Sequence, residues 1–242
     1  MCKIDTVPDF LDNVWFSGKA QFLLSGHLNS KNNIFWGSTP PEHCLQRPLH
    51  SVKCTAWVAI SKQGIIGPSW FEDDNERSVT INTERYVQVL GKFWTALGRQ
   101  RGVVRVLHRF QKDGATPHTS NESLAWLQQR CPDQLISGRC DPEWLPYSPD
   151  LNPADLYLWE YLKDRVYGNN PQTIPDLKAA IKAAIRVIPR EECRRVIKNL
   201  SGRIQMCLHH RGAHLEHILE SQWNKECLLY RLETLEMSAT QA

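Results

Sequence analysis

Apolar positions along this chain change their period twice. Up to residue 71 they come in short runs rich in β-branched and aromatic residues, the signature of strands. Val14-Trp15-Phe16 opens a strand-like stretch that resumes at Phe22-Leu23-Leu24, with Gly18-Lys19 between, after a lead-in of residues 1–12. Ile34-Phe35-Trp36 reads as a second short strand, and 37–50, with Gly37, Pro40, Pro41 and Pro48, as a loop. Val52 to Ile60 is a third strand, and a turn at Gln63-Gly64 leads into its hairpin partner, Ile65 to Phe71. The acidic turn Glu72 to Glu76 follows.

From there helical spacing alternates with short strands. Asn82 caps a helix carrying Tyr86, Leu90, Phe93, Trp94 and Leu97, and Gly98 stops it. Val103 to Leu107 is a strand continuing through Phe110 towards Asp113. Thr119-x-x-Glu122 is a capping box for a helix through Leu124 and Leu127 that ends at Cys131-Pro132. Leu135-Ile136-Ser137 is a short strand, and Asn152-Pro153 starts a helix with Leu156, Trp159, Leu162 and Val166. After the break at Gly168 to Pro171 only helices remain. One is capped by Thr173-x-x-Asp176, a long one starts at Arg190, and the tail to Ala242 is partly amphipathic. Antiparallel strands followed by crossovers predict an α/β fold, a mixed sheet with helices on both faces. The all-helical end, from about 171 to 242, is expected to pack on that sheet as an extension.

Composition changes this picture little. The 242 residues are 41% hydrophobic and 23% charged, ordinary for a globular chain, with nine tryptophans to fill a core. No apolar run has the length of a membrane span and the N-terminus lacks a signal-peptide core, so a soluble, intracellular protein is expected. None of the eight cysteines forms a Cys-x-x-Cys pair, which argues against a zinc knuckle and for reduced core thiols. Charge is more informative. The net charge is +3, yet residues 163–211 hold eleven Lys/Arg against four Asp/Glu, leaving that segment at +7 and the rest at −4. Lys163, Arg165, Lys178, Lys182, Arg194, Arg195 and Lys198 in this segment are the candidate nucleic-acid contacts, a solvated helix face being the plain alternative.

Two acids carry the candidate chemistry. Asp113 follows a strand and precedes Gly114, and Asp155 lies in the first turn of a helix. Phosphodiester cleavage by two Mg²⁺ ions needs carboxylates converging on one point, with the ions about 3.5–4 Å apart. The intervening residues hold a helix and a strand, enough for a crossover that brings the acids together. Each acid also has an ordinary role, Asp113-Gly114 as a turn and Asp155 as a charge at a helix start. His118 reads as a residue that orients the loop. His209, His210, His214 and His217 have helical spacing but no carboxylate frame.

The chain from about Asn13 to Tyr167 resembles the catalytic domain of mariner-type transposases, of the Tc/mariner superfamily. The resemblance rests on Gln111-Lys112-Asp113-Gly114-Ala115-Thr116-Pro117-His118-Thr119. It rests equally on Tyr147-Ser148-Pro149-Asp150-Leu151-Asn152-Pro153-Ala154-Asp155 leading to Trp159-Glu160-Tyr161-Leu162-Lys163. It implies a ribonuclease H-like fold over 13–170 and a DDE/D endonuclease activity that cuts DNA and joins it to a target with Mg²⁺ or Mn²⁺. It further implies DNA as partner, a homodimer as the assembly to test, and the nucleus as location. By this resemblance Asp113 takes the place of the second metal-binding acid and Asp155 the third.

Two departures accompany it. Val14-Trp15-Phe16-Ser17 is followed by Gly18-Lys19 where the family carries Asp-Glu, so Gly18 stands in place of the first metal-binding Asp and Lys19 brings a positive charge to the site. Family members also usually begin with helix-turn-helix domains, for which there is no room before the first strand. A truncated, catalytically impaired copy is therefore expected, the alternative being a non-enzymatic nucleic-acid-binding or regulatory remnant.

Overall fold

The structure, a computed structural model, describes residues 10–26, 52–100, 107–138, 144 and 148–210. A five-stranded sheet runs through its centre in the order β3-β2-β1-β4-β5. The strands are β1 (Val14–Leu23), β2 (Lys53–Ser61), β3 (Gly64–Trp70), β4 (Arg109–Gln111) and β5 (Leu135–Ile136). β1, β2 and β3 form an antiparallel meander, whereas β4 and β5 join parallel to β1. This is the expected mixed sheet. The helices are α1 (Thr83–Arg99), a short α2 (Thr116–Thr119), α3 (Asn121–Arg130), α4 (Trp159–Gly168), α5 (Ile174–Arg186) and α6 (Arg190–His209). A π-helical turn, Ala154–Leu158, leads directly into α4. Among the described residues no helix is long and apolar enough to cross a membrane.

Strand alternation distributes β1 and β2 between two cores. Val14, Phe16 and Phe22 of β1 and Cys54, Ala56, Val58 and Ile60 of β2 pack under the π-turn and α4, α5 and α6. Trp15 of β1 and Trp57 and Ala59 of β2 face the opposite way, against Tyr86, Leu90 and Phe93 of α1 and Leu127 of α3. With both faces covered, neighbouring side chains are buried regardless of parity, which is why β2 reads as an almost unbroken apolar run. Leu177 and Ile181 of α5 and Cys193, Ile197 and Leu200 of α6 belong to the same core as β1.

Several local expectations shift. β1 is one continuous ten-residue strand with Gly18-Lys19 inside it, because Gly18 and Lys19 pair with Val58 and Trp57 of β2. Ladder partners supplied by the tertiary fold outweigh the local weakness of glycine. Helix α1 runs through Gly98 to Arg99, while Asn82 caps it as expected, its Oδ1 accepting the Arg85 N–H at 2.9 Å. The cap of α3 is Ser120, whose Oγ accepts the Ser123 N–H at 3.2 Å, and not Thr119, which closes α2. Thr173 caps α5 by accepting the Asp176 N–H at 3.2 Å. The strands read at Ile34–Trp36 and Val103–Val106, and the tail beyond 210, lie outside the described residues.

Lys178 differs from its expected role as a nucleic-acid contact. It is buried on the inner side of α5, and its ammonium donates to the Glu72 carboxylate and, at 3.4 Å, to that of Glu76, below the Trp70 ring. Its charge is neutralised inside the protein, where it ties α5 to the acidic turn after β3. Burial alone would lower the Lys178 pKa, but hydrogen bonds and charges from Glu72 and Glu76 raise it above its ordinary value. A raised lysine pKa means that the stabilisation is complete below the unfolded value and is lost as pH rises through the folded one. Lys178→Ala should therefore lower stability by roughly 1–3 kcal/mol near neutral pH, read as a shift in the urea unfolding midpoint. The wild-type–variant gap should narrow as pH rises above the ordinary lysine value of about 10.4.

Candidate active site

The parallel pairing of β1 with β4 sets up the site. Phe16 pairs with Gln111, and Ser17 Oγ donates to the Gln111 carbonyl at 2.9 Å, so Gly18 reaches the level at which the chain leaves β4 towards Asp113. The Asp113 carboxylate is held from several sides. Its Oδ1 accepts the Ala115 N–H at 3.0 Å, closing an Asx-type turn, and is also bonded by Nδ1 of His118. Its Oδ2 takes the Lys19 ammonium at 3.3 Å. His118 is buried and stacked on Tyr86 of α1, the ring centroids 3.9 Å apart. His118 thus does orient the loop, by anchoring Asp113 to the α1 layer.

These contacts set the charges. Burial by itself would raise the Asp113 pKa, but His118, Lys19 and the Ala115 amide together outweigh it and hold the carboxyl well below the usual range. Burial lowers the His118 pKa despite the opposing pull of Asp113, with Lys19 and Lys112 adding to the decrease. The arrangement at neutral pH is therefore a neutral imidazole donating Nδ1–H to an ionised Asp113.

Asp155 is placed by a separate device. Asn152 Nδ2 donates to the Ser17 carbonyl at 3.0 Å while its Oδ1 accepts the Ala154 N–H at 3.0 Å, so one side chain caps the π-turn and fastens it to β1. Asp155 follows, and its carboxyl is pushed up to about 6 by surrounding protein first and then by the negative charge of Asp113. Lys19 and Lys163 pull the other way. Asp155 itself is exposed, so water moderates that push. The fold thus brings Asp113, Asp155 and Lys19 within electrostatic reach of one another. Asp155 is also the acid of a helix first turn, its ordinary role.

Gly18 has an unexpected neighbour. A Cβ built on it would lie 2.7 Å from Ala154 Cβ and 3.4 Å from Trp159 Nε1. Real Cβ atoms do not approach so closely, so the bare Cα is what allows the π-turn to sit on β1. The Trp159 indole N–H beside it is buried and has no hydrogen-bond acceptor. A two-metal centre does not fit these residues. A side chain at position 18 would meet Ala154, and Asp113 is already bonded to an ammonium and an imidazole. Among the described residues no group of three or more His, Cys, Asp and Glu gathers to hold an ion. His209 and His210 meet edge-on at the end of α6, and His214 and His217 lie outside the described residues.

Of the basic residues, Lys163 lies near enough to Asp155 for its charge to act there. Arg165, Lys182 and Lys198 are exposed, Arg165 lying over the Tyr161 ring. Arg194 and Arg195 are exposed too but pair with Glu191 and Glu192 one turn away, at 2.9 and 2.6 Å. The residue types in the chain did not show that Lys19, Gln21, Lys53, Thr55, Ser78 and Thr80 share a depression of about 380 Å³ beside the site. Its lysines are far apart in the chain, and only the β1–β2 register, Gln21 opposite Thr55 and Leu23 opposite Lys53, joins them. Asn152 and Ala154 were legible as a helix start, but not as the contact with Ser17 and Gly18.

The fold that these elements define is the ribonuclease H-like fold of the mariner transposase catalytic domain. A solved Mos1 transposase paired-end complex with the left transposon end is 21% identical with a TM-score of 0.65, over 86% of this chain and 57% of that one. The catalytic domain of Mos1 mariner transposase is 19% identical with a TM-score of 0.63, over 86% of either chain. A Mos1 mariner paired-end complex with Mn is 20% identical with a TM-score of 0.62, over 85% of this chain and 57% of that one. The chain therefore spans less than three-fifths of the transposases in those complexes. No family model and no curated protein matches it.

Two outcomes follow from this geometry. Gly18→Asp should lower the thermal midpoint, at a cost of roughly 1–3 kcal/mol for forcing a side chain into the Ala154 contact. Adding Ala154→Gly should recover part of that loss. Because the folded Asp113 pKa is depressed, its contribution to stability is complete above the ordinary value of 3.8 and is lost as pH falls through the folded one. Acid unfolding curves of wild type and Asp113→Asn should accordingly be fully separated above about pH 5, draw together progressively below about pH 4, and meet only below the depressed folded value.

Proposed function

We propose that this chain is a transposase-derived protein of the DDE/D endonuclease type whose DNA cleavage and strand transfer are impaired. The contact between Gly18 and Ala154 supports this reading, since it leaves little space for a side chain where the resemblance puts the first acid. The Asp113 and Asp155 segments support descent from a cleaving site, and the transposon-end DNA in the similar Mos1 structures supports DNA as partner. Those structures also include complexes with Mn or Mg, and the impairment proposed is that of such a metal-dependent site. In this reading residues 13–170 are the catalytic-type domain, residues 171–242 are its C-terminal extension, of which α5 and α6 pack on the sheet, and the protein works on nuclear DNA.

A second reading, non-enzymatic nucleic-acid binding, is favoured by the exposed Lys182, Arg194, Arg195 and Lys198 on α5 and α6. Arg165 and Lys163 extend this set towards the site. The two readings are compatible, because phosphate contacts need cations and not a metal centre.

Incubated with supercoiled plasmid and Mn²⁺ or Mg²⁺, the purified protein should leave the plasmid intact. Nicking that disappears in Asp113→Ala would overturn the impairment. Oligonucleotide duplexes should bind with an affinity that falls steeply with salt, the paired Lys182→Glu/Lys198→Glu variant reducing the slope of log K against log salt by about 2. Salt-independent binding would sink the second reading.

A further inference from the structure

The side chain after Gly18 has taken on a role that the acids alone do not suggest. Lys19 pairs through its backbone with Trp57 in the β1–β2 ladder, so its origin is fixed in the middle of the sheet. Its ammonium reaches the Asp113 Oδ2 at 3.3 Å, and its charge also acts on Asp155. The opposite oxygen of Asp113 is taken by His118 and the Ala115 amide. Lys163 adds a second positive charge on the Asp155 side. Two carboxylates that would otherwise repel each other are thus neutralised by the protein's own cations.

We propose that Lys19 is a built-in counter-ion, whose ammonium pairs with Asp113 and, together with Lys163, offsets the charge of Asp155, turning a metal-binding arrangement into a metal-independent ionic clasp. The proposal rests on the reading of the site as a relic of the DDE/D type, and it adds a specific agent of the loss. An ammonium supplies charge and three donors in compact form, which suffices to hold carboxylates together. It has no vacant coordination position with which to polarise a phosphoryl oxygen or activate a water. The ion pair joins β1 to the turn after β4, and the charge of Lys19 reaches the π-turn before α4. It also bears on the closure at Gly18. A cation anchored in the sheet lets the π-turn carrying Asp155 approach β1 without a metal between them.

The test measures Mn²⁺ binding and stability in the absence of nucleic acid. Wild type should leave the electron paramagnetic resonance signal of free Mn²⁺ unchanged, and its thermal midpoint should be the same in millimolar Mn²⁺ and in EDTA. Lys19→Met exposes Asp113 and Asp155 to each other. It should unfold at a lower temperature in EDTA, recover part of the loss in Mn²⁺, and bind Mn²⁺ at least tenfold more tightly than wild type. Adding Asp113→Asn should abolish both responses, and Lys19→Arg should behave as wild type. Should Lys19→Met fail to fold, Lys19→Gln, which keeps a polar side chain, is refolded with and without Mn²⁺ and read in the same way.

Wild-type Mn²⁺ binding that Asp113→Asn removes would overturn the clasp. So would folded Lys19→Met or Lys19→Gln that shows no gain of Mn²⁺ affinity. Wild type that binds Mn²⁺ without nicking DNA leaves the proposed function standing and removes only the clasp. Wild type that nicks DNA while the Lys19 variants respond as expected removes the impairment and leaves the clasp.

Discussion

The arrangement of this protein depends on how closely the start of one helix approaches the central strand. Asn152 bridges the two, donating to the Ser17 carbonyl and accepting from the Ala154 amide. The bond sets the height of the π-turn above β1, and the bare Cα of Gly18 lets Ala154 settle against it. The rest of that core follows. Leu158, Trp159, Leu162 and Val166 line up behind Ala154 on one stripe, and α5 and α6 close over them. A side chain at position 18 would lift the turn and loosen this stripe along with it.

The same approach governs the electrostatics. Drawing Asp155 towards Asp113 places like charges near each other, which costs free energy unless a cation accompanies them. Lys19, 3.3 Å from Asp113, supplies one, delivered by the strand that also delivers Gly18. In the proposed reading the steric and charge features of these adjacent positions act in the same direction. One lets the π-turn sit on the strand, and the other pairs a cation with Asp113. His118, buried against Tyr86, restrains the Asp113 side chain so that the pair with Lys19 has a defined geometry. An exposed lysine–carboxylate pair elsewhere would contribute little; this one is anchored at both ends.

The basic residues of the C-terminal helices divide by their surroundings. Lys178 and Lys182 are one helical turn apart, yet the first is buried beneath Trp70 with Glu72 and Glu76 and the second faces water. Arg194 and Arg195 stay exposed but each has a glutamate three residues before it. Counting charges over 163–211 treated all of these alike. What separates them is the stripe of α5 that meets the sheet: Leu177 and Ile181 define it, and Lys178 falls on its margin.

Much of the fold was legible because local rules and tertiary demands agreed. The Asn82 and Thr173 caps, the apolar run of β2 and the helical spacing of α1, α5 and α6 needed no partner to be read. The segments around Asp113 and Asp155 were legible as a pair, and Gly18 and Lys19 as departures from what a metal site requires. Other features depended on contacts between distant residues. Strand β1 passes through Gly18-Lys19 because β2 supplies hydrogen bonds on its flank. Ser120 rather than Thr119 caps α3 because the chain has already turned once through α2. Residue types alone thus determined which groups were available for a site, two acids and a lysine with no third acid at position 18. Only the tertiary structure decided that Ala154 fills the space at Gly18 and that the lysine lies on Asp113. The first depends on the spacing between a strand and a helix start more than a hundred residues apart, set by one side-chain bridge and the packing behind it, and the second on the parallel pairing of β1 with β4.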